Sequence, residues 1–488
     1  MPQNLPIKFL DIKNKKFINW FEKEKSHLNH AKKYSYFYSK VFKIYKNFFF
    51  SKSNYKNYKD IGIANFKLIR VITSNILLLD FLKRNKVRLD KKKISKIKNL
   101  STEEYQKKFF SLLEKNNNKT LINDLKNKFF NLNNSTNYVF ETKKGEVFLK
   151  EKRLTFKKFE YTYKSKNLSS KDSENFKYLI SNYVKLFKEH NLPFDKSLYL
   201  KILKILKISL HLYEQNCAIR RDGITLYHGQ SGSPLHRILA LAWKKSGAKL
   251  ISFAHGYTKY TASALQIERF LHDGLSISNF FYVSNLHEKK VHLKIFKKFN
   301  FLKKQKINIL LYKNNYSEYD KYLNKEEKKK KKFEKIKLLL VGYSASDDFY
   351  IDAPSYYGMK VLKFEYDLLK LLKKFSNIEV FYKIHPDRIK EAKNIFDNFC
   401  KKVVYEKFEK IYSNYDLILF PTPFSTTLGL SLETKKKIIL INTKEIKWFK
   451  EDFNKIKKKC LIVNADLKNA NFMINKSSLK KTILKIIK

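Results

Sequence analysis

The chain holds three cysteines in 488 residues. Cys217, Cys400 and Cys460 have no CxxC spacing, which argues against a disulfide framework and a cysteine-built zinc site and fits a reducing compartment. Arginine is scarcer still for its class, with nine among 103 basic residues. The net charge of +58 invites a nucleic-acid reading, but Arg is the side chain that grips phosphate and base edges bidentately, and its scarcity argues against that reading. Lys, Asn, Ile, Phe and Tyr are all abundant, as drift toward A/T-rich codons would leave them on a solvated surface. The physical remainder of that charge favours anionic headgroups or polyanionic substrates. No apolar run reaches the ~20 residues of a spanning helix; the best, LIRVITSNILLLDFLK (68–83), carries Arg70 and Asp80. The N-terminal MPQNLPIKFLDIKNKK lacks the apolar core of a signal peptide. The expectation is a cytoplasmic protein, held at most peripherally at the inner face of the cell membrane.

Glycine is rare as well, and six of the eleven fall within 223–274, together with His228, His236, His255 and His272. In a Gly-poor chain such clustering marks turns where backbone must approach something closely. Around them the pattern reads strand 224–228, Gly/Ser loop, helix 234–246, strand 249–254, a second loop, and strand 279–285: a βαβ unit. Upstream, 1–132 is Lys- and aromatic-rich, with an amphipathic helix over 103–115 and a strand or buried helix over 68–83. The stretch 137–156 alternates on both sides of Lys144-Gly145 and reads as a hairpin, and 199–215 as a helix. NKEEKKKKKFEK (324–335) is a charge run and the linker candidate. Beyond it, strands at 337–342, 378–384, 402–405, 416–420 and 437–441 alternate with helices at 359–375, 387–400, 406–414 and from about 427. That spacing predicts a parallel, doubly wound sheet.

The expected architecture is therefore α/β, with two Rossmann-like doubly wound domains facing a cleft and a mostly helical N-terminal extension. The boundaries read 1–320 for the first domain with its basic extension, 321–336 for the linker, and 337–488 for the second. Sheets of this kind bind ligands outside the carboxyl ends of their strands. Every candidate loop sits at such an end. In KIHPDR, Pro386 opens a helix and sets His385 above its free amides, where it can donate to or protonate a phosphate; a capped helix with a solvated histidine fits the same residues. In PTPFSTTLGLSLE, Ser425, Thr426 and Thr427 make an anion nest or simply cap a helix, and Glu433 faces a ribose or solvent. In VGYSASDDFYIDAPSYYG, Gly342, Ser344 and Ser346 admit a diphosphate, without the GxGxxG or Walker patterns. Asp347-Asp348 is a weak metal pair. In the first domain, His255 is the candidate base, with Gly256 permitting close approach; His228 is its rival, and a buried core histidine is the alternative for either. Asp273 is a weaker base. Gly229, Gln230, Ser231, Gly256 and Tyr257 are the acceptor-side candidates, and Lys383 joins His385 around the donor phosphates.

With KIHPD in one unit and DLILFPTPFSTTLGLSLETKKKIILIN after it, the chain resembles the glycosyltransferases of the GT-B fold. It is most similar to those of bacterial surface polysaccharides: sialyl- and polysialyltransferases, capsule Kdo transferases and CDP-glycerol glycerophosphotransferases. The resemblance covers about 224–450. It implies that His385-Pro386 and Ser425-Thr426 hold the donor's nucleotide phosphate and that His255-Gly256 matches the His-Gly of the glycerophosphotransferases. The second motif departs from the family's Asp-Tyr-Ser-Ser form, and no acidic base motif of the sialyltransferase kind is evident. The implied enzyme is metal-independent and needs no cofactor. Its substrates are a CMP- or CDP-linked sugar or glycerol phosphate and a polysaccharide or glycolipid acceptor, with no nucleic-acid partner. A sugar-nucleotide epimerase of the same architecture and a non-enzymatic polyanion-binding protein are the alternatives.

Overall fold

The computed structural model describes residues 25–50, 56–65, 136–140, 142–159, 167–194, 196–229, 234–254, 277–283, 307–312, 335–343, 358–386, 396–423, 425–443, 450–468 and 471–487, with single positions between 68 and 80, between 286 and 293, and at 448. They group into two compact units, the first running from Tyr34 to Tyr312 and the second covering the described residues from 335 onward.

Helix α1 (Lys25–Phe50), which enters the first unit at Tyr34, is followed by α2 (Lys56–Ala64). The described positions between 68 and 80 are helical, all but one buried. That decides the ambiguous apolar run in favour of a buried helix. Strand β1 (Asn137–Phe140), helix α3 (Lys143–Glu151), strand β2 (Lys157–Lys158) and helices α4 (Ser170–Glu189) and α5 (Lys196–Cys217) follow. Then come β3 (Thr225–His228), α6 (Pro234–Lys245), β4 (Lys249–Phe253), β5 (Phe280–Val283) and β6 (Asn308–Leu311). The six strands form one sheet in the order β2-β1-β3-β4-β5-β6, every neighbouring pair parallel. Its crossovers reverse direction between β1 and β3. Val139, Tyr227, Ile251 and Phe253 on one face pack with Phe148 and Leu149 of α3. On the other face Tyr138 meets Trp243 of α6 edge to face at 5.3 Å. The N-terminal helices join α4 and α5 through Tyr58 stacked on Phe176 and through Asn65 donating to Ser209 at 3.0 Å.

The hairpin expected over 137–156 is not there. Thr142 is extended and its hydroxyl accepts from the Gly145 amide at 3.2 Å, which starts α3. Gly145, Phe148 and Leu149 turn inward at helical spacing. Tyr138 lies level with Leu226 of β3 in a parallel pair, so β1 is an inner strand of the sheet. Alternation over a few residues was the weaker signal; the cap and the i, i+3, i+4 face prevailed.

The second unit comprises β7 (Ile336–Val341), α7 (Gly358–Leu372), β8 (Ile378–Lys383), β9 (Lys402–Val404), α8 (Phe408–Ile411), β10 (Leu417–Phe420), α9 (Thr426–Ser431), β11 (Lys437–Thr443), α10 (Lys450–Lys459), β12 (Cys460–Lys468), β13 (Asn471–Ile474) and α11 (Lys476–Ile487). Its sheet has the order β13-β12-β11-β10-β7-β8-β9, parallel except for the β12–β13 edge. Counted along this unit, that is order 3-2-1-4-5-6 with a seventh, antiparallel edge strand, the arrangement found in dinucleotide-binding folds. Alternate residues Leu339, Val341, Ile418, Phe420, Ile438 and Leu440 form one face of the core, under Leu428 of α9 and Ile456 of α10. Each such side chain, fully buried, contributes ~1.5–3 kcal/mol. The strands are apolar without alternation because helices cover a parallel sheet on both faces. The fold is thus α/β and rich in parallel sheet, compatible with two Rossmann-like units. The charged linker at 321–336 and the helices at 103–115 and 387–400 lie largely outside the described residues.

Candidate functional site

In the second sheet the crossovers reverse between β7 and β10, so the crevice where ligands bind opens at the carboxyl ends of those two strands. Three candidate loops leave this edge. Register sets their heights: Val341 lies level with Lys383, and Leu340 with Leu419. His385 stands two residues past the end of β8, and Ser425 five past the end of β10. The strands carrying them are not neighbours, because β7 runs between them. Two interstrand spacings put the strand ends ~10 Å apart, wide enough for a phosphate-sized group to sit over β7.

Lys383 is 6% exposed, and its ammonium donates to the Ile384 carbonyl at 2.8 Å. Burial lowers its pKa, opposed by Glu409 and Glu406. It braces the loop that carries His385. His385 is half-buried and Pro386 exposed. Across the crevice Ser425 is extended and caps α9, its hydroxyl accepting from the Thr427 amide at 3.2 Å, and the Ser425 and Thr427 hydroxyls bond each other. The capping role weighed from sequence is therefore present. A six-residue helix carries little dipole, so any anion reading rests on the hydroxyls. Thr426 is the first residue of that helix. Glu433 lies beyond its end, just before β11 begins at the opposite edge of the sheet, so the fold does not bring it to Ser425.

Gly342 opens the β7 turn. A Cβ there would run into the Tyr382 hydroxyl and stand 3.0 Å from the Lys383 carbonyl oxygen. The smallness expected to admit a diphosphate accommodates Tyr382. Ser344 and Ser346 lie outside the described residues, as do Asp347 and Asp348. Sequence reading missed Glu365 of α7, which is fully buried and accepts from the Tyr343 amide at 2.7 Å and the Tyr382 hydroxyl at 2.6 Å.

In the first unit His228 is the last residue of β3, level with Phe140 and Ser252, and 2% exposed. Its Nδ1 donates to the Gly229 carbonyl at 3.0 Å, and Ser278 Oγ, itself bonded to Ser252, stands 3.5 Å from Nε2. Burial pushes its pKa down to about 4. A neutral imidazole of that basicity has little drive to take a proton from a hydroxyl, and its bonds fit a ring held against the Gly229 backbone. The Lys144 ammonium donates to the Ala254 carbonyl, at the end of β4; only the fold reveals that placement, since the sequence around Lys144 read as a turn. His255, Gly256, Tyr257, Gln230, Ser231 and Asp273 lie outside the described residues.

Among the described residues no group of three or more His, Cys, Asp or Glu is placed to hold a metal, and no helix is long and apolar enough to cross a membrane. No family model and no curated protein matches the chain.

Proposed function

We propose that the chain is a glycosyltransferase that moves a sugar or glycerol phosphate from a nucleotide-activated donor to a surface polysaccharide or lipid-linked acceptor. One observation supports this above the others: the loops bearing Gly342, His385 and Ser425–Thr427 leave the same edge of a 3-2-1-4-5-6 sheet, on and beside its switch point. The donor's nucleotide occupies that crevice. In sugar transfer an acceptor hydroxyl attacks the anomeric carbon, and the bond to the nucleotide phosphate breaks with its electron pair going to the phosphate oxygen. His385 and the 425–427 hydroxyls donate to that oxygen, compensating charge where it develops. The acceptor proton passes to a general base. The Lys-rich surface suits an anionic acceptor or headgroup.

The test is a melting-temperature panel with CMP, CDP, UDP and GDP, because a ligand of the folded form raises its melting point. At least one should raise it, and the His385→Ala variant should lose that shift while melting at its usual temperature without ligand. No response to any of the four would end the proposal.

A further inference from the structure

The first turn of the second unit is tied from inside. The Gly342 amide donates to the Lys383 carbonyl at 2.8 Å, and the Tyr343 amide donates to Glu365 at 2.7 Å. The other Glu365 oxygen accepts from Tyr382 at 2.6 Å, and both Glu365 and Tyr382 are fully buried. In a dinucleotide fold the amides of this turn face a pyrophosphate. Here the first two after β7 face the protein. A buried carboxyl group is unfavourable unless hydrogen-bonded, and bonds to a charged acceptor are about twice as strong as neutral ones. The exit of β7 is thereby fastened to α7 and to the end of β8.

We infer that Glu365 is the positioning residue of this crevice. It holds the β7 exit with its first amides turned inward, so a bound nucleotide phosphate is met from the β8 and β10 loops. Its link to binding rests on the function proposed above; the clamp itself does not.

Two measurements on the full chain separate the two. Hydrogen exchange, read by mass spectrometry on the peptide spanning β7 and Tyr343, reports the clamp. Calorimetric titration with CMP, CDP and UDP reports binding. In Glu365→Leu no acceptor remains for the Tyr343 amide or the Tyr382 hydroxyl, so both bonds are lost; exchange should quicken and Kd rise about tenfold, the scale of one or two hydrogen bonds. Tyr382→Phe removes a buried bond but leaves the Tyr343 tie, so its Kd should stay within about twofold although it also melts earlier. Glu365→Asp, too short to reach both donors, carries the same expectation as Glu365→Leu if the latter does not fold. Unchanged exchange in the Glu365 variants overturns the clamp. Faster exchange at wild-type affinity, or an equal affinity loss in Tyr382→Phe, overturns the positioning role. A wild-type chain that binds none of the three nucleotides removes the functional reading and the positioning role with it, while exchange still decides the clamp.

Discussion

His228 and His385 look alike in the sequence: each ends an apolar strand, and each is followed by a residue that restricts or frees the backbone. The two units treat them differently. His228 is still inside the ladder, paired level with Phe140 and Ser252, so the side chain is enclosed and its charged form is disfavoured by burial. His385 stands two residues past the last ladder position of β8, and it is half-buried. Two residues of register separate an enclosed histidine from a half-buried one.

The sharpest way to break this comparison is to remove both imidazoles in turn. His385→Ala should lower transfer at least ~100-fold, the scale of one lost electrostatic donor, with an unchanged melting temperature. His228→Ala should do the reverse: ~2–4 kcal/mol of stability lost by denaturant titration, from stranded buried partners and a cavity, with nucleotide affinity intact in the folded fraction. Equal activity losses without loss of stability in both would erase the distinction.

Acid sharpens it next. The folded pKa of His228 is about 4 against an ordinary 6.5, so the fold favours the neutral ring. Its contribution is complete above pH 6.5 and is lost as pH falls toward 4, by roughly 3 kcal/mol in all. The difference in unfolding free energy between wild type and His228→Gln should therefore shrink across that window. A flat difference for His228→Gln would contradict the enclosed imidazole.

The smallest effect tests the turn beside His385. Gly342→Ala places a methyl against the Tyr382 hydroxyl and the Lys383 carbonyl, and overpacking of this kind costs ~1–3 kcal/mol. Adding Tyr382→Phe should recover part of that loss by thermal melting; a neutral Gly342→Ala would mean the turn is loose.

The strands of the second unit were legible because buried parallel strands are unbroken apolar runs: LILF at 417–420 is buried throughout. The loop at 425 was legible because Ser and Thr mark helix starts. The first sheet was only half legible, since β1 alternates like a hairpin strand and its pairing with β3 spans a long sequence separation. β6 and β13, four residues each, went unnoticed, as did the longer β12. Glu365 left no local signal; one carboxylate on an amphipathic helix reads as solvent-facing until Tyr343 and Tyr382 are seen to meet it.

By itself the sequence determined composition, the strands that carry the 385 and 425 loops and the capped helix start at Ser425, because caps, turns and hydrophobic periods act between residues close along the chain. Only the tertiary structure decided that β7 separates His385 from Ser425, that His228 is enclosed, and that Glu365 fastens the first turn. Those outcomes depend on strand order and on which side chains exclude water together, and neither is encoded within any one short stretch.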